Sequence, residues 1–266
     1  LKQRPNDGDA LHLKGMALFQ LGRVKDAIRS VERAVAATPG DATAVGNLGR
    51  MLIAARRFER AEECFRKAAE LNPAAVQEHA ALGNLLCLLG RLDEAADACG
   101  RALELAPADG LANLNMGVVR FEQGRFDEAV VHFEAALRTD PGNADARTNI
   151  GFIRLAEGRR GAALTAFDRV LAAMPDHVRA RTGRARTLFE QGEQEAAIAA
   201  FQATLALDPR DAEANFQLGV AEARRGDDAT GEKLIGKALA LDPAMFMARW
   251  KFALLLPRIY ESSDHV

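Results

Sequence analysis

Small and large apolar residues alternate along this chain at a fixed interval. Ala27, Ala61, Ala95, Ala129, Ala163 and Ala197 stand 34 residues apart, and Gly231 continues the series. Four residues after each comes a larger side chain: Val31, Phe65, Cys99, Phe133, Phe167, Phe201 and Ile235. A spacing of four puts both on one face of a helix, so every period predicts a helix with a small contact point and a knob one turn on. Earlier in each period Gly15, Gly49, Gly83, Gly117, Gly151 and Gly219 share a slot, with Ala185 in the sixth place. They mark a first helix whose backbone comes close to the second.

The boundaries keep the same beat. Gly22, Gly90, Gly124, Gly158, Gly192 and Gly226 fall where the first helix should end, and only Arg56 breaks that series. Pro39, Pro73, Pro107, Pro141, Pro175, Pro209 and Pro243 follow the second helix, and Pro5 precedes the first full period. A fixed φ and a missing amide stop a helix there. Each unit therefore reads as a helix of about 13 residues, a glycine turn, a second helix of similar length and a proline stop.

Seven full units run 8–41, 42–75, 76–109, 110–143, 144–177, 178–211 and 212–245. A lone hairpin of this kind cannot bury its apolar stripe, so the units are expected to stack into an α-solenoid. Residues 1–7 match the last positions of a preceding repeat, and the array is expected to extend upstream. Residues 246–266 begin an eighth first helix and then depart from the pattern at Pro257, with Trp250, Phe252 and Tyr260 close by. A capping helix or a junction to a further domain would each explain them.

The period and its slots resemble the tetratricopeptide repeat family over residues 8–245. The resemblance implies an all-α, right-handed superhelix of about seven helix-turn-helix repeats, partial repeats at both ends, and a concave groove lined by the first helices. The tryptophan usual near the start of each first helix is missing, with Leu11, His79, Asn113 and Arg181 among the replacements. That departure is expected to alter local packing, not the fold.

Composition narrows the function. Hydrophobic residues make up 48% of the chain but aromatics only 6%, which suits closely packed helices. With 35 Lys and Arg against 37 Asp and Glu, the net charge is -2 and no global field would draw in nucleic acid or an acidic membrane surface. The longest apolar runs, such as Leu85 to Leu89, are far shorter than the roughly 20 residues of a membrane span. Three cysteines without metal-ligand spacing fit a reducing, cytoplasmic setting, and Cys99 occupies a knob slot as a core filler.

No phosphate loop, zinc-binding helix, nucleophile elbow or calcium loop occurs, and His12, His79, His132, His177 and His265 occupy unrelated slots. No cofactor, metal or catalytic role is expected of this chain. The expected site is the groove, with a protein or peptide as its ligand. Asn47, Asn115 and Asn149 share one slot along it, while Asn84 lies about a turn from the equivalent place, which Ala81 takes. Such amides can pair with the backbone of an extended peptide, or bond to solvent or a neighbouring helix instead.

Between them lie Val118 and Phe152, with Phe121, Leu155 and Phe189 expected partly in the core, and Arg50, Arg179 and Arg186 on the rim or floor. Arg147, Arg154, Arg181 and Arg184 are interspersed with Asp145, Asp168, Asp176 and Glu190, as on a solvated mixed face. Chaperone-binding relatives clamp a C-terminal carboxylate with cations and two asparagines. Here Asn84 and Asn115 match the asparagines, but Ala80, Asp145 and Asn149 stand where cations are required, so no such clamp is expected.

The asparagine slot also resembles the asparagine ladder in the superhelical arm of the protein O-GlcNAc transferases, and the tail RWKFALLLPRIYESSDHV resembles the junction after such arms in bacterial relatives. That resemblance implies the acceptor-recognition arm of a larger bacterial protein glycosyltransferase, with an acceptor such as flagellin. The alternative is a free-standing scaffold that assembles a multiprotein complex or self-associates.

Overall fold

In a computed structural model of the protein, residues 7–243 are described, and they form fourteen helices with no strand among them. The helices come in pairs. They are α1 (Gly8–Gln20) and α2 (Val24–Ala37), α3 (Ala42–Ala54) and α4 (Phe58–Leu71), α5 (Val76–Leu88) and α6 (Leu92–Leu105), and α7 (Gly110–Glu122) and α8 (Phe126–Thr139). There follow α9 (Ala144–Ala156) and α10 (Arg160–Ala173), α11 (Val178–Gln191) and α12 (Gln194–Leu207), and α13 (Ala212–Arg225) and α14 (Asp228–Leu241). The fold is an all-α helical repeat. Contacts divide the chain into two compact units, 1–146 and 147–266, which part inside α9. The cap or junction expected at 246–266 lies outside the described residues, as does most of the partial repeat at 1–7.

Local chemistry sets the helix ends. The side chains of Asp7, Asp41, Asp109 and Asp211, two residues after a proline, each accept the backbone N–H three residues on and cap a first helix. Asn143 does the same for α9 and His177 Nδ1 for α11. Ala75 alone supplies no such bond, to α5. At the other end the turn glycines take a left-handed φ of +73° to +99°. Gly22 N–H donates to Phe19 and Arg23 N–H to Leu18, which satisfies two otherwise orphaned carbonyls.

Arg56, the break in that glycine series, adopts the same conformation at φ +56°, with the equivalent bonds from Arg56 to Ile53 and from Arg57 to Leu52. The turn geometry overrides the residue, and a Cβ in this region is strained. Arg56→Gly is therefore expected to stabilise the protein by about 1 kcal/mol, read as a higher urea midpoint at unchanged m-value. A lower midpoint would show that the arginine stem contributes more than the strain costs.

The slot that lacks tryptophan is put to another use. His79 Nε2 donates to the Pro73 carbonyl at 3.1 Å, Asn113 to Pro107 at 3.0 Å, Arg181 Nε to Pro175 at 2.5 Å and Asn215 to Pro209 at 3.2 Å. Polar side chains thus tie these four first helices back to the turn before them, where an indole would have filled volume. In the fourth repeat His132 Nδ1 donates to Asn113 Oδ1 at 3.1 Å. Leu234 stands at that place in the seventh repeat, and the buried Asn215 Oδ1 has no hydrogen-bond partner.

Packing inside every repeat but the sixth, where Ala185 takes the slot, is knob on glycine. A methyl added at Gly117 would lie 2.6 Å from the Phe133 ring, at Gly49 2.8 Å from Phe65, and at Gly83 2.3 Å from Cys99 Sγ. The glycines make room for the knob of the second helix. Only at Gly231 does the nearest atom belong to a backbone, the Gly219 carbonyl at 2.8 Å. Val31, Phe65, Cys99, Phe133, Phe167 and Phe201 are all fully buried, as are Ala27, Ala61, Ala95, Ala129, Ala163 and Ala197.

In the first unit, α2 packs on α3, α4 on α5 and α6 on α7, and first helices also touch directly, α3 with α5 and α5 with α7. One core cluster runs from Ala27 to Val119. In the second unit, α10 packs on α11, α12 on α13, and α11 on α13.

Candidate functional site

Each first helix turns its glycine slot toward its own second helix and packs its flanks on neighbouring repeats. What remains is a stripe at the second, sixth, ninth and thirteenth positions, spaced by four, three and four along one helical face. All nine candidate residues fall on this stripe: Arg179 at its second position, Asn47, Asn115 and Asn149 at its sixth, and Arg50, Asn84, Val118, Phe152 and Arg186 at its ninth.

In the first unit the polar candidates form a chain of bonds. Asn47 Nδ2 lies 2.9 Å from His12 Nε2, so the ring nitrogen accepts and the imidazole proton sits on Nδ1, which faces Asp41 at 4.0 Å. Asn47 Oδ1 accepts from Arg50 Nη1 at 3.1 Å, and Arg50 reaches Glu78 Oε1 at 3.4 Å. Gly46 is part of this arrangement, because a methyl there would stand 2.6 Å from that carboxylate oxygen. Asn115, buried, donates to the Ala80 carbonyl of the preceding repeat at 2.9 Å. Asn84 is exposed, and its side chain has no hydrogen bond among the described residues. Val118 is half-buried. Leu88, one turn past Asn84 on the α5 stripe, is 63% exposed, and Leu111, at the start of the α7 stripe, is 45% exposed.

In the second unit Asn149, Phe152 and Arg179 come together. Arg179 Nη2 donates to Asn149 Oδ1 at 2.9 Å, and its guanidinium lies over the Phe152 ring at 5.7 Å. Phe152 in turn meets the buried Phe167 edge to face at 5.2 Å. Arg186 pairs with Glu190 at 3.3 Å and with Glu213 at 3.7 Å. The other arginines of this region are also paired: Arg154 with Glu157, Arg181 with Asp176 and Arg184 with Asp168.

Over α11 and α13 the face opens into a hollow of about 750 Å³, walled by Phe189, Phe216 and Val220, with Arg160, Arg186 and Arg224 around it. Arg224 lies 4.8 Å above the Phe189 ring. The sequence reading singled out Phe189 but not Arg224, whose position at the end of α13 became informative only with the ring beneath it.

Among the described residues no three His, Cys, Asp or Glu side chains cluster as a metal site would require, and no helix is long and apolar enough to cross a membrane. His132 has its pKa lowered by burial and, after that, by Arg120, and its Nδ1 is engaged by Asn113.

Comparison with known proteins agrees with this architecture. Models described as tetratricopeptide repeat match residues 18–86, 120–186 and 154–215, with two further models of that description at 185–246 and 76–109. No curated protein matches the chain at a significant level. Among solved structures, a tetratricopeptide repeat protein from Parabacteroides merdae superposes with a TM-score of 0.75 at 16% identity, covering 94% of this chain and 98% of its own. A chain of the APC/C hetero-tetramer Cut9–Hcn1 gives 0.79 at 17%, over 97% of this chain and 50% of its own. PilW, a widely conserved type IV pilus biogenesis factor, gives 0.71 at 21%, over 79% and 98%. At these identities the likeness speaks for the fold alone. Repeat models span most of the helix pairs built here on glycine and knob, and the chain belongs to the tetratricopeptide repeat family.

Proposed function

We propose that this chain holds an extended polypeptide along its first-helix face. Membership of the family makes it a protein–protein interaction module, and such repeat proteins are generally non-catalytic scaffolds. The observation that carries the finer reading is the exposure of Leu88 on the stripe of α5, one turn from the exposed amide of Asn84, and of Leu111 at the start of the α7 stripe. Large aliphatic side chains left in water on a packed helical face favour a ligand that covers them. Asn47, Asn115 and Asn149 contribute by holding the face in shape, since each is already engaged within the chain.

Peptides of about twelve residues selected from a random library on the wild-type protein test this reading. Leu88→Asp is expected to weaken the selected peptides at least tenfold, about 1.4 kcal/mol, while Val131→Asp on the second helix α8 leaves them unchanged. Equal effects at the two positions, or no peptide enriched at all, would overturn it.

A narrower version makes the module the acceptor-recognition arm of a bacterial protein O-glycosyltransferase that takes a secreted acceptor such as flagellin. Its support is the shared slot of Asn47, Asn115 and Asn149, together with the amide of Asn84, which has no hydrogen bond among the described residues. The reading frame downstream of Val266 in the gene decides it: a nucleotide-sugar-binding domain sustains the arm, and its absence leaves the free-standing scaffold.

A further inference from the structure

We infer that the hollow over α11 and α13 recognises an acidic polypeptide segment in which an Asp or Glu sits next to a large apolar side chain. The inference rests on the first-helix face being a polypeptide site, and it assigns the chemistry of the ligand in the second unit. The walls Phe189, Phe216 and Val220 supply apolar surface. The charges around them do not balance. Among the described residues Glu190 is the one carboxylate lining the hollow, and it is shared between Arg186 at 3.3 Å and Arg160 at 3.9 Å. Arg186 is further neutralised by Glu213 at 3.7 Å.

Arg224 stands apart. It is exposed, no carboxylate among the described residues pairs with it, and its guanidinium lies 4.8 Å over the Phe189 ring. Stacking on an aromatic face orients the planar fork and leaves its N–H edge free for an incoming carboxylate. A cation so placed at the edge of an apolar hollow matches a ligand with an acidic group and a hydrophobic group side by side. A basic ligand would meet the unbalanced charge of Arg224 there and be repelled.

Labelled eight-residue peptides test this by fluorescence anisotropy on the whole chain. One set alternates Glu or Asp with Phe or Leu; a second carries Lys in place of the acids; a third carries Ser in place of the apolar residues. The first set is expected to bind at least tenfold more tightly than either other, with affinity falling as salt rises. Arg224→Gln, at an exposed position, should weaken it about tenfold, and Arg224→Lys should recover only part of the loss because an ammonium does not stack as a fork does. Equal binding of acidic and basic peptides, or no change in Arg224→Gln, would overturn the assignment. Concentration-dependent self-association abolished by Arg224→Gln would give the hollow to a second copy of the chain and overturn it too. Loss on Arg224→Gln without loss on Leu88→Asp would uphold the hollow while sinking the apolar stripe of the first unit, and the reverse pattern would do the opposite.

Discussion

Phe167→Ala is expected to lower stability by about 3–5 kcal/mol, the largest loss of any single substitution considered for this chain. The ring is fully buried, and it is wedged between two first helices. A methyl at Gly151 of α9 would lie 2.6 Å from it, and one at Gly183 of α11 2.4 Å, so the same knob fills the hole of its own repeat and reaches the next. It also meets Phe152 edge to face at 5.2 Å, a contact beneath the stacked Arg179. In a one-dimensional array the stability of a repeat is shared with its neighbours through such contacts, so the substitution should lower the urea midpoint and make the transition shallower as the array uncouples. Far-UV circular dichroism through the transition reads both. A loss below about 1 kcal/mol would mean that the cavity collapses freely and that the knobs do not couple the repeats.

The features legible in the sequence were those that every repeat needs. Knob, glycine, turn and proline recur because each solves the same packing or backbone problem in nearly every repeat, and a period exposes them without any structure. The reason behind the glycine slot was legible only in part. Backbone approach was expected, and the side-chain room for Phe133, Phe65 and Cys99 is what the slot supplies in most repeats. Arg56 shows the limit from the other side: it stood in the sequence only as a break in the glycine series, yet it adopts the glycines' left-handed conformation.

The face was far less legible. Residues that share a slot do not share partners: Asn47 meets His12, Asn115 the Ala80 carbonyl, and Asn149 the Arg179 guanidinium. Each partner lies in an adjacent repeat. His12 and Ala80 both stand 35 residues before their amide, but one offers a ring nitrogen and the other a backbone carbonyl, so the commitment of an amide depends on which residue fills that place. The same holds for the arginines. Arg50 and Arg186, both at the ninth position, have carboxylates at hand and Arg224 at the thirteenth has an aromatic ring, a difference set by the residues beside each.

Cys99 should resist thiol reagents in the native protein about a thousandfold more than an ordinary cysteine at pH 8. Its sulfur fills the hole over Gly83 where other repeats place a phenyl ring, and it is fully buried. Burial, then the neighbouring Cys87, pushes its pKa up to about 12 from an ordinary 9.0. The thiolate, which is the reactive form, therefore falls from roughly a tenth of the population to about one part in ten thousand at that pH. Cys64 and Cys87 are half-buried, with their thiols raised by burial to a smaller extent, and both should be labelled ahead of it. Because the folded pKa lies above the unfolded one, the unfolded chain ionises first. The stability linked to this thiol is whole below about pH 9 and drains away between about 9 and about 12, at no more than about 1.4 kcal/mol per pH unit. Cys99→Ala should lack that added slope, so the stability gap between wild type and variant should narrow from pH 9 to pH 10.5. Labelling of all three thiols at one rate, or a gap that holds constant over that interval, would show that the sulfur is reached by solvent and that the knob at this repeat is loose.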